Sequence, residues 1–219
     1  MLAAAGLVAR PPAAPEPKGA EYAVRWDPSR GGPASAEETL AFLGSTGAKP
    51  VRYDVQYYDL PAPKGAPGGA TVVLRRRSAA EGSSEIRLKY RTSSPLGPWA
   101  CPDTSFDAKA QVDVGFGAGA PSRIYSYSCV LSAREPPADL HAAPKKCACR
   151  MVRYDDTRGV GYKVEAWTIP DGSTRLEISR STSNSVDELA RFTQLVERLV
   201  QRGARPLEES KTELGSRCP

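Results

Sequence analysis

The stretch Glu85-Ile-Arg-Leu-Lys-Tyr-Arg91 carries three cations two residues apart. As a strand it sets Arg87, Lys89 and Arg91 on one face, roughly 7 Å apart, and Ile86, Leu88 and Tyr90 on the other. Three like charges in a row repel unless water or an anion screens them. The pattern recurs along the chain. Glu21 and Arg25, Arg75 and Arg77, Lys109, Gln111 and Asp113, Lys163 and Glu165, and Arg175 and Glu177 each share a strand face. The faces opposite are apolar: Tyr22/Val24/Trp26, Val112/Val114/Phe116, Tyr162/Val164/Ala166 and Leu176/Ile178. Lys211 and Glu213 join the charged set if "SKTELG" is extended. Arg offers forked donors to phosphate oxygens and Lys a compact charge. Enclosed, such rows trap a polyanion; on an open sheet they are a solvated face.

The elements that must position these rows are short strands. Alternation marks strands at "EYAVRWD", "VRYDVQYYDL", "TVVLRRR", "EIRLKYR", "AKAQVDVGF", "RIYSYSCVLS", "CRMVRYD", "GYKVEAWTI" and "TRLEISRS". A turn at "PDG" joins the last two. Ser35 with Glu38, and Ser185 with Glu188, have capping-box spacing and open two helices. The second carries an apolar stripe of Val186, Leu189, Phe192, Val196, Leu199 and Val200 and ends at Gly203. The expected fold is mainly β with flanking helices, its core lying between sheet and helices. Closure of the sheet would turn the charged face into a tunnel lining.

The chain has 219 residues, a net charge of +5 and a single histidine, His141, in a Pro/Ala-rich loop. One histidine argues against a His-based triad or a multi-His metal site within one chain. The mild net charge points to no specific nucleic acid, and no stretch is long and apolar enough to span a membrane. Five cysteines, with "CAC" lacking a second zinc-type pair, fit one or two disulfides and a leftover thiol; Cys101 with Cys129 is one pairing to test, the connectivity being open. Residues 1–20 are Ala/Pro-rich and read as a disordered segment or the remnant of a secretory signal, leaving 21–219 as a single domain. The expected location is secreted or periplasmic, with the cytoplasm as the alternative. The three tryptophans, Trp26, Trp99 and Trp167, are not clustered and read as packing residues.

The order "EYAVRW", "VQYYDL", "VLRRR", "IRLKYR", "AQVDV", "YKVEAW", "RLEIS", long helix, "SKTELG" resembles the CYTH family of the triphosphate tunnel metalloenzyme superfamily over about 190 residues. That resemblance implies an eight-stranded antiparallel closed β tunnel with charges pointing inward. It implies a triphosphate or other polyanionic small molecule as ligand, and Mg²⁺ or Mn²⁺ as cofactor. Carried over by position, Arg25, Arg75, Arg77, Lys89, Lys163 and Lys211 would hold phosphates, joined by Arg87 and Arg91 of the same charged row. Glu21, Asp113 and Glu177 would serve the metal and catalysis. The chain departs from the family pattern on the acidic side. Glu-x-Glu-x-Lys is here Glu21-x-Ala23-x-Arg25, a paired-Glu strand is Gln111-x-Asp113, and the late Glu-x-Glu is Glu177-x-Ser179.

Three functions follow as expectations. The first is a metal-dependent hydrolase of inorganic or nucleoside triphosphate. The second is a polyanion- or polyphosphate-binding tunnel without turnover, possible outside the cell. The third is an unrelated secreted β protein whose Arg/Lys rows face bulk water.

Overall fold

The structure is a computed structural model that describes residues 14–45, 47–61, 66, 69–155 and 161–218. Nine strands form one closed barrel: β1 (Gly19–Trp26), β2 (Pro50–Asp59), β3 (Thr71–Ala79), β4 (Ser84–Thr92), β5 (Asp107–Phe116), β6 (Ser122–Leu131), β7 (Ala143–Asp155), β8 (Tyr162–Thr168) and β9 (Thr174–Ser183). Around the wall they run β1-β5-β6-β4-β3-β2-β7-β8-β9 and return to β1. All neighbours are antiparallel except β1 and β5, which pair in parallel with Glu21 opposite Asp113. The tunnel therefore has nine strands and one parallel seam where eight antiparallel strands were expected.

Period-two alternation separates an apolar outside from a charged inside on β1, β3, β4, β5 and β9, while the inward face of β2, β7 and β8 also carries Val55, Tyr57, Cys149, Met151 and Trp167. Tyr22, Val24 and Trp26 of β1, Val112, Val114 and Phe116 of β5, and Leu176 and Ile178 of β9 are buried against Phe192, Leu195, Val196 and Leu199 of helix α2 (Val186–Gln201). Ser185 caps α2 by accepting from Glu188 N. Val186 and Val200, at the edges of the expected stripe, are exposed instead, and Leu195 takes a place in the core. Outside β3 and β4, Leu74, Ile86, Leu88 and Tyr90 are covered by Phe106 and partly buried Trp99. Trp99 contacts the rings of Tyr90 and Tyr127. Helix α1 (Ala36–Phe42), capped by Ser35, lays Ala36 and Leu40 on Tyr154 and Val164.

The terminal "SKTELG" is not extended. It forms helix α3 (Lys211–Ser216), with a full capping box in which Ser210 N donates to Glu213 and Glu213 N donates to Ser210 Oγ. Leu214 of α3 joins Val55, Tyr57, Met151, Trp167 and Ile169, apolar residues of the β2/β7/β8 wall. The approach is close: a Cβ on Gly215 would lie 2.8 Å from Tyr57 and 3.0 Å from Cys149 Sγ. Only glycine lets α3 settle there.

Cys101 is bonded to Cys129 and Cys147 to Cys218, leaving Cys149 as a buried thiol. Burial pushes the Cys149 thiol up to about 11, so it stays protonated near neutrality. Residues 1–13 of the N-terminal segment lie outside the described residues. Glu16 accepts from Tyr125 OH at 2.7 Å and from Asn184 at 3.1 Å, just before β1 starts at Gly19. No helix among the described residues is long and apolar enough to cross a membrane.

Candidate anion-binding tunnel

The charged faces converge. A cavity of about 110 Å³ within the barrel is lined by Arg75, Arg77, Arg87, Lys89, Arg91, Lys109, Arg153, Lys163 and Lys211, against only two carboxylates, Glu21 and Glu165. It shares Glu21, Lys89, Arg91 and Lys211 with a wider opening of about 630 Å³ between α3, β1 and the β3–β4 edge, to which Arg25 and Asp113 also contribute. Seven of the eight predicted phosphate-contacting cations thus line one cavity, and Arg25 stands at its mouth. The row Arg87–Lys89–Arg91 faces this interior, and its like charges are crowded by neighbours rather than spread over water.

Register explains the crowding. Arg75 lies opposite Arg87 across β3 and β4. Burial, then Arg75 beside it, pushes the Arg77 guanidinium below its ordinary pKa. Burial likewise lowers Lys89, with Asp113 only partly offsetting it, and lowers Lys163, beside Arg153. For Arg75, burial pulls the same way but Tyr57, Glu85 and Glu165 more than offset it. Arg77 Nε and Arg87 Nε are buried without a hydrogen-bond partner among the described residues. An orphaned buried donor costs about 1–3 kcal/mol, more when charged, so each of these two is a place for an acceptor such as water or an anion. Arg87 also pairs with Glu85 through Nη2 at 3.1 Å.

The acidic residues do not gather as a metal site. Asp113 is engaged by Lys89 at 2.7 Å and Arg91 at 3.6 Å, and Gln111 donates to both Asp113 (2.7 Å) and Glu21 (3.0 Å). Glu177 is almost fully buried. Arg25 Nε lies 2.5 Å from its Oε2, as a close ion pair rather than an aligned hydrogen bond, and Lys211 Nζ lies 2.8 Å from its Oε1. Ala23 and Ser179, where paired carboxylates would be expected, stand opposite each other on β1 and β9. Among the described residues, no group of three or more His, Cys, Asp or Glu side chains could hold a metal ion. Mg²⁺ or Mn²⁺ needs carboxylate oxygens open to it beside water; Asp113 and Glu177 are already engaged by Lys89, Arg91, Arg25 and Lys211, so the predicted trio does not fit the ion as it stands. Of the predicted trio, Glu21 and Asp113 lie together across the parallel seam and share Gln111, whereas Glu177 sits apart in the packing behind Lys211.

Lys109, Arg153 and Glu165 line the cavity but were not among the predicted site residues. Lys109 and Glu165 lie on the charged face read from the sequence. Arg153 shares its parity with Cys149 and Met151, whose apolar character hid its inward direction. Glu165 is buried, yet Lys211, Arg77 and the Trp167 indole hold its carboxyl down to about 2 against the opposing effect of burial. Burial opposes ionisation of Glu21 too, but Lys211, Lys89 and Lys163 outweigh it and hold the group well below the ordinary range. His141 is exposed beyond β6 and takes no part in the cavity.

No protein-family model matches the chain, and no curated protein matches it in sequence. Solved structures do match. The PH1012 protein of Pyrococcus horikoshii OT3 aligns with a TM-score of 0.52 at 15% identity, covering 89% of this chain and 98% of that one. A conserved hypothetical protein of Pyrococcus furiosus gives 0.50 at 11% identity, covering 89% and 99%. A candidate adenylyl cyclase from Hippeastrum, described as having a dominant triphosphatase activity, gives 0.50 at 14% identity, covering 89% and 92%. At these identities the likeness is one of fold: the chain has a CYTH-like closed β tunnel.

Proposed function

We propose that the barrel interior binds a linear phosphate polyanion of the triphosphate class, within one tunnel domain spanning 21–219. One observation carries this reading: cations from β3, β4, β5, β7, β8 and α3 line a single enclosed cavity in large excess over carboxylates. Low-dielectric walls strengthen their pull on an anion, and a bound anion relieves their mutual repulsion. The Arg77 and Arg87 Nε donors lack partners that phosphate oxygens would provide. Titration calorimetry with tripolyphosphate tests the reading. It predicts binding that weakens steeply with salt, whereas a ligand-free structural cavity predicts no heat of binding. The two disulfides support an oxidising, exported location.

A second reading is hydrolysis of inorganic or nucleoside triphosphate. It is favoured by Glu21, which faces the cavity outside any ion pair among the described residues. Phosphate release from tripolyphosphate or ATP, with and without Mg²⁺ or Mn²⁺, by wild type and Glu21→Gln, decides it. Release that Glu21→Gln abolishes supports turnover; binding without release leaves capture as the function.

A further inference from the structure

Two cations, Lys211 and Arg25, close off the paired carboxylates Glu165 and Glu177. Lys211 is the central one. Its ammonium lies 3.0 Å from Glu165 Oε2 and 2.8 Å from Glu177 Oε1, and 5.8 Å from the centre of the Trp167 ring. Trp167 Nε1 donates to the same Glu165 oxygen at 3.0 Å. Glu165 and Glu177 are opposite one another on β8 and β9, so their charges would repel across the pair without a cation between them. Both are almost completely buried, at 2% and 1% exposure. Unpaired buried carboxylates are expensive, and an ammonium with three donors meets both at once. Arg25 completes Glu177 from β1. The cation is delivered by α3, whose far side is seated on the β2/β7 wall through Leu214 and Gly215.

We propose that Lys211 is a resident cation occupying the place between Glu165 and Glu177, and that it lets the tunnel capture its polyanion without a divalent metal. This rests on the polyanion reading of the cavity and assigns Lys211 a positioning role: it neutralises and orders the two acids, and so preserves the positive surplus of the other cations. Between Glu165 and Glu177 a divalent ion has no free pair of carboxylate oxygens to enter, because Lys211 holds both and Arg25 holds Glu177 as well. Removing the ammonium alone would expose two adjacent carboxylates, the kind of oxygen pair on which Mg²⁺ or Mn²⁺ can settle with water.

The test uses the full chain with both disulfides intact. Mn²⁺ alone is titrated into wild type and Lys211→Met, with binding read by calorimetry and by quenching of tryptophan fluorescence, since Trp167 touches the pocket. Tripolyphosphate is titrated separately in EDTA and in Mg²⁺. The proposal predicts no saturable Mn²⁺ binding by wild type, saturable Mn²⁺ binding with quenching by Lys211→Met, and wild-type capture of tripolyphosphate that EDTA does not weaken. Saturable Mn²⁺ binding by wild type, or a loss of tenfold or more in tripolyphosphate affinity in EDTA, overturns it. Lys211→Arg, which keeps the charge, guards against misfolding of the Met variant: it must remain without Mn²⁺ binding, and acquiring it counts against the proposal. If wild type binds no tripolyphosphate in either buffer, the polyanion reading fails, and the Mn²⁺ arm still judges the role of Lys211.

Discussion

Cys147 on β7 is bonded to Cys218, and the bond fixes the segment just beyond α3, the helix whose first residue sets Lys211 between Glu165 and Glu177. A covalent bond between residues 71 apart in sequence thus fastens the part of the chain that supplies a tunnel cation. Replacing Cys147 and Cys218 together by Ser is expected to lower stability by about 2–4 kcal/mol. It should also weaken tripolyphosphate binding, because α3 is then held only by its packing and by the ion pairs of Lys211. Denaturant unfolding and calorimetry check both. An unchanged affinity would show that α3 stays seated without the bond.

The cations of the β3–β4 wall are expected to dominate affinity. Arg77→Ala removes a forked donor whose Nε has no hydrogen-bond partner among the described residues, and should weaken tripolyphosphate binding about tenfold or more, the worth of one charge-assisted hydrogen bond. Arg77→Lys should recover only part of the loss, since a point charge cannot reproduce the fork. Melting temperatures measured beside the titrations separate this from unfolding.

Lys89 and Lys163 both have pKa values pushed down, chiefly by burial. Their charge is therefore lost earlier than usual as pH rises, and a bound anion restores it. Tripolyphosphate affinity should begin to fall as pH rises before the ordinary lysine value of 10.5 is reached, because these two lysines lose their charge early. Proton uptake on binding should appear in the same range as a dependence of the heat on buffer ionisation. Affinity that rises over this interval would contradict the account.

Glu165 provides the opposite pH dependence. Its carboxyl is held near 2, below the ordinary 4.5, so it stabilises the fold above the ordinary carboxylate range. That contribution is lost as pH falls from about 4.5 toward 2. Acid unfolding of wild type should show a loss of stability in this window, and Glu165→Gln should flatten it while lowering stability near neutrality, since Lys211 then keeps only Glu177.

The packing under α2 is a separate test of the fold. Phe192 contacts the rings of Tyr22, Phe116 and Tyr162 and is buried. Phe192→Ala should cost about 3–5 kcal/mol, since it empties the centre of that layer. A cost below 1 kcal/mol in denaturant unfolding would mean that α2 does not cover the barrel.

Much of this was legible in the sequence because alternation is a local property. Arg87, Lys89 and Arg91 declare a common face on their own, and Tyr22, Val24 and Trp26 declare the opposite one. Closure depends on pairs far apart, such as Glu21 beside Asp113 in the parallel seam, and no local pattern encodes that register. Residue type marks Lys211 as a cation, but its place on the charged face depends on whether "SKTELG" is extended, and the Ser210/Glu213 capping pair is the sign in the sequence that it is a helix. The roles of Asp113 and Glu177 could not be read from residue type, since a carboxylate that would serve a metal and one that serves an arginine look alike in sequence. Only their partners, Lys89 and Arg91 for one and Arg25 and Lys211 for the other, separate the two.

The most direct measurement is a tripolyphosphate titration of wild type and of the double variant Arg77→Ala with Lys89→Ala, each at low and at physiological salt. The account predicts salt-sensitive binding by wild type and its near-complete loss in the folded double variant. Binding by the double variant equal to that of wild type would contradict it.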